Sequence, residues 1–148
     1  MTTQQFIEVF IGEANDLLAE IDQAALSLES GPPSQETVNQ LFRAFHTIKG
    51  SAGVCGLDGI VEFTHHLENL LDLVREGKIP VSSKLIDLVL RSEDQIAAML
   101  AAEQGAPPPP RASTDKLIAD VCAHAGLPVV PPPAKKTRAN DNEDAFLF

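Results

Sequence analysis

The sequence predicts an all-α protein, an up-down four-helix bundle with a short fifth C-terminal helix and a disordered Pro-rich tail. Three observations predict it. Apolar residues recur at steps of three and four in four successive stretches, which is the period of a helix with one buried face. Glycine and proline punctuate the joints between those stretches. No stretch shows the strict alternation of a half-buried strand, and the connections are short enough for antiparallel neighbours.

The first helix starts after Thr2 or Thr3 as N-cap and carries Phe6, Val9, Phe10, Ala14, Leu17, Leu18, Ile21, Ala24, Ala25 and Leu28 as its stripe. Gly31-Pro32-Pro33 stops it. Ser34 caps the second helix, with Glu36 in the first turn where the helix dipole favours an anion. Its core stripe is Val38, Leu41, Phe45, Ile48 and Ala52. Gly53 and Gly56 bracket a break, and Gly53 is a candidate C-cap. Asp58 is positioned to cap a third helix, with Ile60, Phe63, Leu67, Leu70, Leu71 and Val74 inward and an end near Gly77. Ile79-Pro80-Val81 turns the chain. Ser82 or Ser83 then caps a fourth helix, whose inward residues are Leu85, Ile86, Leu88, Val89, Ile96, Met99 and Leu100.

The bundle is therefore expected to occupy residues 1–105. Residues 106–127 are a spacer and accessory unit. Pro107 to Pro110 form a semi-rigid spacer, and Ser113 or Thr114 caps a short helix that docks through Leu117, Ile118, Val121 and Cys122. From 128 to 148 the chain is Pro-rich and then acidic without periodicity. It ends on Phe146-Leu147-Phe148, which reads either as a docking peptide or as a tether to further domains.

Composition removes several classes of function. The chain has 148 residues, 44% of them hydrophobic, enough for one domain with a real core. Its formal net charge is -10, and it has no basic cluster larger than Lys135-Lys136 with Arg138. A nucleic-acid or anionic-membrane surface is disfavoured. No apolar run is long enough to span a bilayer, and the N-terminus lacks a signal-peptide pattern, so the expected location is cytoplasmic. Cys55 and Cys122 are isolated and read as small buried residues.

The chemistry collects around His46. It sits one residue round from Phe45, so it leaves the core stripe and faces solvent. Lys49 and Gly50 follow at three and four residues on the same side, and Gly53 at seven. Glycine within a helix costs about 1 kcal/mol relative to alanine. Its presence beside an exposed histidine suggests that another surface closes there, and the lysine suggests that what arrives is anionic. In the third helix His65 and Glu68 share a face, with His66 turned away. Folding the second and third helices as a hairpin about Gly56 brings His65 and Glu68 to the level of His46. A carboxylate there can accept a hydrogen bond from one ring nitrogen of His46. That bond sets the tautomer and leaves the other nitrogen as an outward nucleophile. Such a ring is suited to receive a phosphoryl group, with Lys49 facing its oxygens.

At these residues a resemblance emerges. His46-Thr47-Ile48-Lys49-Gly50-Ser51-Ala52-Gly53 resembles the His-x-x-Lys-Gly signature of histidine-containing phosphotransfer (HPt) domains. Together with Phe63-Thr64-His65-His66-Leu67-Glu68-Asn69-Leu70-Leu71-Asp72, it looks like the amino-terminal phosphotransfer domain of CheA-type chemotaxis histidine kinases. The likeness covers about residues 3 to 104, and it implies an HPt-type bundle in which His46 is phosphorylated on Nε2 by the ATP-binding domain of a CheA-type kinase. The group then passes to an aspartate of a CheY- or CheB-type response-regulator receiver. Glu68 matches the glutamate that bonds the acceptor ring, Lys49 the lysine beside it, and His65 the histidine that joins the network. Phe42, Lys49 and Gly50 are expected at the docking face. His66 departs from the family pattern and reads as a surface histidine. No cofactor or metal is expected on this domain; ATP and Mg²⁺ belong to the kinase, and Mg²⁺ to the receiver. The chain has no room for an ATP-binding domain and is expected to be an excised domain or one served in trans. The alternatives are a metal-binding bundle, since His46, His65, His66 and Glu68 are competent ligands, and a purely structural bundle.

Overall fold

The computed structural model describes residues 2–129; the Pro-rich tail expected from 128 onward lies, from residue 130, outside the described residues. The order is α1 (Thr3–Ser30), α2 (Gln35–Val54), α3 (Asp58–Arg75), α4 (Ser83–Glu103) and α5 (Arg111–Ala125), with no strand among the described residues. α1 packs against α2 and α4, and α2 packs against α3. α3 and α4 touch only lightly, and α5 packs against both of them.

The helix ends follow from local chemistry. Thr2 closes a capping box with Gln5: its hydroxyl accepts from the Gln5 amide at 3.1 Å, and the Gln5 side-chain oxygen accepts from the Thr2 amide at 2.7 Å. Ser34 and Ser82 cap α2 and α4 by accepting from the amides of Thr37 and Leu85. α2 runs through Gly53 to Val54, so Gly53 is not its C-cap. The turn is made by Gly56 at φ +75. Leu57 N–H donates to the Ala52 carbonyl at 2.9 Å, and Gly56 N–H to that of Gly53 at 3.2 Å. These two bonds close the end of the helix and need a left-handed residue at position 56. α3 ends the same way at Gly77, through Lys78 N–H to the Leu73 carbonyl at 2.9 Å and Gly77 N–H to that of Val74 at 3.0 Å.

Two expected N-caps are not used. Leu57, not Asp58, is the N-cap of α3, and Asp58 sits inside the first turn, where its charge still favours the dipole. α5 starts at Arg111 with Pro110 as N-cap, so Ser113 and Thr114 lie within the helix. Thr114 has a different task. Its hydroxyl accepts from Gln95 Nε2 at 2.9 Å and donates to the Pro110 carbonyl at 3.3 Å, tying α5 to α4.

One core is formed by all five helices, including Leu117, Ile118, Val121 and Cys122 of α5. Phe45, Phe63, Leu41, Ile48 and Leu67 at the α2–α3 seam are among its fully buried side chains. The start of α1 departs from expectation. Phe6 and Val9 are each 52% exposed, whereas Ile11, outside the expected stripe, is buried. Ile7, beside Phe6, packs against the core instead, so α1 is rolled to turn Ile7, Phe10 and Ile11 inward and leaves Phe6 and Val9 on the flank. No helix among the described residues is long and apolar enough to cross a membrane.

Candidate functional site

The α2–α3 hairpin builds the site. Phe45 and Ile48 are fully buried on the core side of α2, which fixes the roll of the helix and turns His46 outward. The His46 side chain is 64% exposed. Across the seam Glu68 projects from α3 with its side chain 8% exposed, level with the imidazole. Glu68 Oε2 meets His46 Nδ1, and Glu68 Oε1 meets Lys49 Nζ. A carboxylate only accepts, so Nδ1 carries the hydrogen and donates it. The lone pair is then on Nε2, the ring nitrogen away from Glu68. A buried anion is tolerable only when paired, and here both oxygens have a partner, one of them the Lys49 ammonium.

Three of the expected residues therefore meet: His46, Glu68 and Lys49. Lys49 is 24% exposed and turned to Glu68, so in this state its charge neutralises the carboxylate. His65 does not join them. It is exposed, and its ring lies 6.2 Å from that of His66, tilted by 59°, with no hydrogen bond to His46, Glu68 or Lys49. The expectation for His66 is corrected. It is a buried histidine beneath α5, its Nδ1 3.5 Å from Cys122 Sγ. Burial, and then the charge of His65, lower its pKa below 6.5, and burial raises that of the Cys122 thiol. The sequence shows no reason for this, because the cover comes from α5, whose Cys122 lies 56 residues further along the chain.

Gly50 is exposed, and a Cβ built on it meets nothing within 4 Å, so the helix surface one turn above the imidazole is bare. Gly53 has Val61 Cγ2 at 3.8 Å from its absent Cβ and serves the α2–α3 seam as well. Phe42, one turn before His46, is half-buried, and its ring is stacked on the imidazole at 9° with centroids 6.0 Å apart. Arg75 was not anticipated. Its guanidinium carbon lies 4.0 Å from the Phe42 ring centroid, and it is paired with Asp72 at 2.6 Å. The Phe42–His46 pair is legible as an i, i+4 spacing; Arg75 is not, because it arrives from another helix. Among the described residues no group of three or more His, Cys, Asp or Glu is placed to hold a metal ion.

An exposed imidazole with Nδ1 held by a carboxylate, Nε2 free and a bare helix turn beside it can act as a nucleophile toward an incoming electrophile and can be covered by another protein. The chain also has recognisable relatives. The Hpt domain family matches residues 5–106. The chain is 38% identical over 113 residues to the chemotaxis protein CheA of Salmonella typhimurium, covering 76% of this chain and 17% of that protein. It is 39% identical over 102 residues to CheA of Rhizobium meliloti, covering 69% and 14%. The chain thus spans less than a fifth of the length of these relatives. Among solved structures it resembles the CheA phosphotransferase domain of Thermotoga maritima, with a TM-score of 0.66 and 33% identity over 69% of this chain and 97% of that one. It shares the fold of the phosphorylated P1 domain of CheA3, in complex with CheY6, from R. sphaeroides, with a TM-score of 0.74 and 22% identity over 83% of this chain and 97% of that one.

Proposed function

The chain belongs to the Hpt domain family, and on that premise we propose that it is the phosphotransfer module of a CheA-type chemotaxis kinase. The observation that carries this reading is the Glu68–His46 bond, which leaves Nε2 of an exposed ring unprotonated. The Nε2 lone pair attacks the terminal phosphorus of ATP held by a kinase catalytic domain. The N–P bond forms as the P–O bond to ADP breaks. The ring becomes cationic in that step, and Glu68 at Nδ1 stabilises the charge, as the aspartate does in a Ser-His-Asp triad. In the second step an aspartate oxygen of a CheY- or CheB-type receiver attacks the phosphorus. Because Nδ1 keeps its hydrogen, the group that leaves is neutral imidazole, and the starting tautomer is restored.

Lys49 pairs with Glu68 at rest and lies one helical turn from the ring, within range of oxygens added at Nε2. Phe42, Lys49 and Gly50 make the docking face. ATP and Mg²⁺ belong to the partners. In this reading residues 1–105 perform the transfer, 106–127 brace the bundle and 128–148 are a Pro-rich, acidic linker or tail, all in the cytoplasm. The similarity to CheA proteins, one of them seen with CheY6, supports these partners.

The test needs neither partner. Phosphoramidate, a small donor that phosphorylates histidine, is expected to add one acid-labile phosphate at His46, located by mass spectrometry and NMR and absent from His46→Gln. An intact bundle that takes no phosphate at His46 would overturn the proposal.

A further inference from the structure

Glu68 holds the His46 imidazole at one atom. A single hydrogen bond sets the tautomer but leaves the ring free to swing about it. The second contact is the Phe42 ring, parallel to the imidazole within 9°. Phe42 is held in turn. The Arg75 guanidinium lies 4.0 Å from its centroid. Arg75 is anchored twice, by its Nη2 donating to Asp72 Oδ1 at 2.6 Å and by its carbonyl accepting from Gln35 Nε2 at 3.1 Å. Gln35 is the first residue of α2, so Arg75 reaches Phe42 from the N-terminal side, while His46 lies one turn to the C-terminal side. The ring is gripped between a cation from α3 and the imidazole it supports.

We propose that Arg75 is a positioning residue for His46: anchored by Asp72, it clamps Phe42, and Phe42 sets the plane in which the imidazole presents Nε2. This rests on the reading of His46 as the nucleophile. Neither Arg75 nor Phe42 touches the reacting atom, so their effect runs through ring orientation. A partly exposed cation–π contact of this kind is worth about a two- to five-fold change in population, and the rate of phosphoryl uptake should fall by the same factor when it is lost.

The experiment uses the whole chain with Arg75→Ala, Arg75→Lys, Phe42→Leu and the Arg75→Ala/Phe42→Leu double variant. Two quantities are read: the NMR shifts of the His46 ring protons, which sense the Phe42 ring current, and the rate of phosphoryl uptake from phosphoramidate. Arg75→Ala is expected to move the ring shifts and slow uptake about two- to five-fold, and Arg75→Lys to restore most of both. In the Phe42→Leu background Arg75→Ala should add nothing, because the path from Arg75 to the imidazole is gone. Unchanged ring shifts in Arg75→Ala, or an effect that persists in full without Phe42, would overturn the clamp. A wild-type chain that takes no phosphate at His46 would instead overturn the functional reading, and the ring shifts would still decide the clamp.

Discussion

Glu68→Gln separates orientation from nucleophilicity. Glu68 offers two acceptor oxygens to two donors, His46 Nδ1–H and the Lys49 ammonium. Glutamine has the same shape but one acceptor and one donor. Its oxygen can satisfy the lysine or the imidazole, not both. Hydrogen bonds to a charged group are worth about 1.5–3 kcal/mol and neutral ones about 0.5–1.5, so the oxygen should turn to Lys49. The amide N–H₂ then faces Nδ1, which must accept, and the hydrogen moves to Nε2. The preference of about 1 kcal/mol makes the productive tautomer roughly five-fold scarcer. The lost carboxylate also no longer stabilises the cationic ring, a charge-assisted bond of about 1.5–3 kcal/mol at a partly exposed site. Together these factors, about five-fold and about 10- to 150-fold, predict uptake from phosphoramidate slowed about 50- to 800-fold but not abolished, since Nε2 and the fold remain. The assay is the rate of mass gain at His46, paired with ¹⁵N shifts that report which ring nitrogen carries hydrogen. A rate within about two-fold of wild type, with Nδ1 still protonated, would refute the orienting role.

Gly50→Arg should leave the fold and phosphoramidate uptake intact, because its Cβ enters open space, while phosphoryl transfer to a receiver falls at least about ten-fold; unimpaired transfer would move the docking face elsewhere. Glu93, between α1 and α4, has Oε1 buried without a hydrogen-bond partner, and burial followed by the charge of Asp22 raises its pKa from 4.5 to about 7. Its contribution to stability is full below 4.5 and is lost as pH rises through about 7. Glu93→Gln should therefore raise the melting temperature near pH 8 by about 4 °C, corresponding to about 1 kcal/mol after allowance for solvent screening, with the gain vanishing in acid; a gain independent of pH would exclude this origin. His66 acts in the opposite sense. With its folded pKa lowered from 6.5, its stabilisation is present above that value and is lost as pH falls through the folded value. Hydrogen-exchange protection of α5 should fall relative to α1 as the pH drops below 6.5, and His66→Leu should remove that difference; equal loss in both helices would show that His66 does not govern docking.

Features that depend on near neighbours along the chain were legible in the residues alone. The 3.6-residue period marked α2 and α3 as helices with Phe45, Ile48, Phe63 and Leu67 inward. Ser34 and Ser82 offered a hydroxyl three residues before an unsatisfied amide, and cap as expected. Counting equal distances from the hairpin turn was enough to bring Glu68 to His46, because an antiparallel pair of rigid helices keeps its register over a few turns.

Features that depend on a remote element emerged with the packing of the bundle. Phe6 and Val9 stay exposed while Ile7, Phe10 and Ile11 at the same level turn inward, because the roll of α1 is set by the helices it packs on. His66 has the composition of a surface position and is buried because α5 packs against α3 and α4. His65 and Glu68 share a face of α3, but only Glu68 reaches the ring, a difference made by side-chain direction across the seam. Arg75 carries no local sign of its place over Phe42, where Asp72 and the first turn of α2 hold it. Local interactions select helices and their ends within a few residues, whereas burial, ring stacking and charge pairing are settled by which surfaces the packed bundle brings into contact.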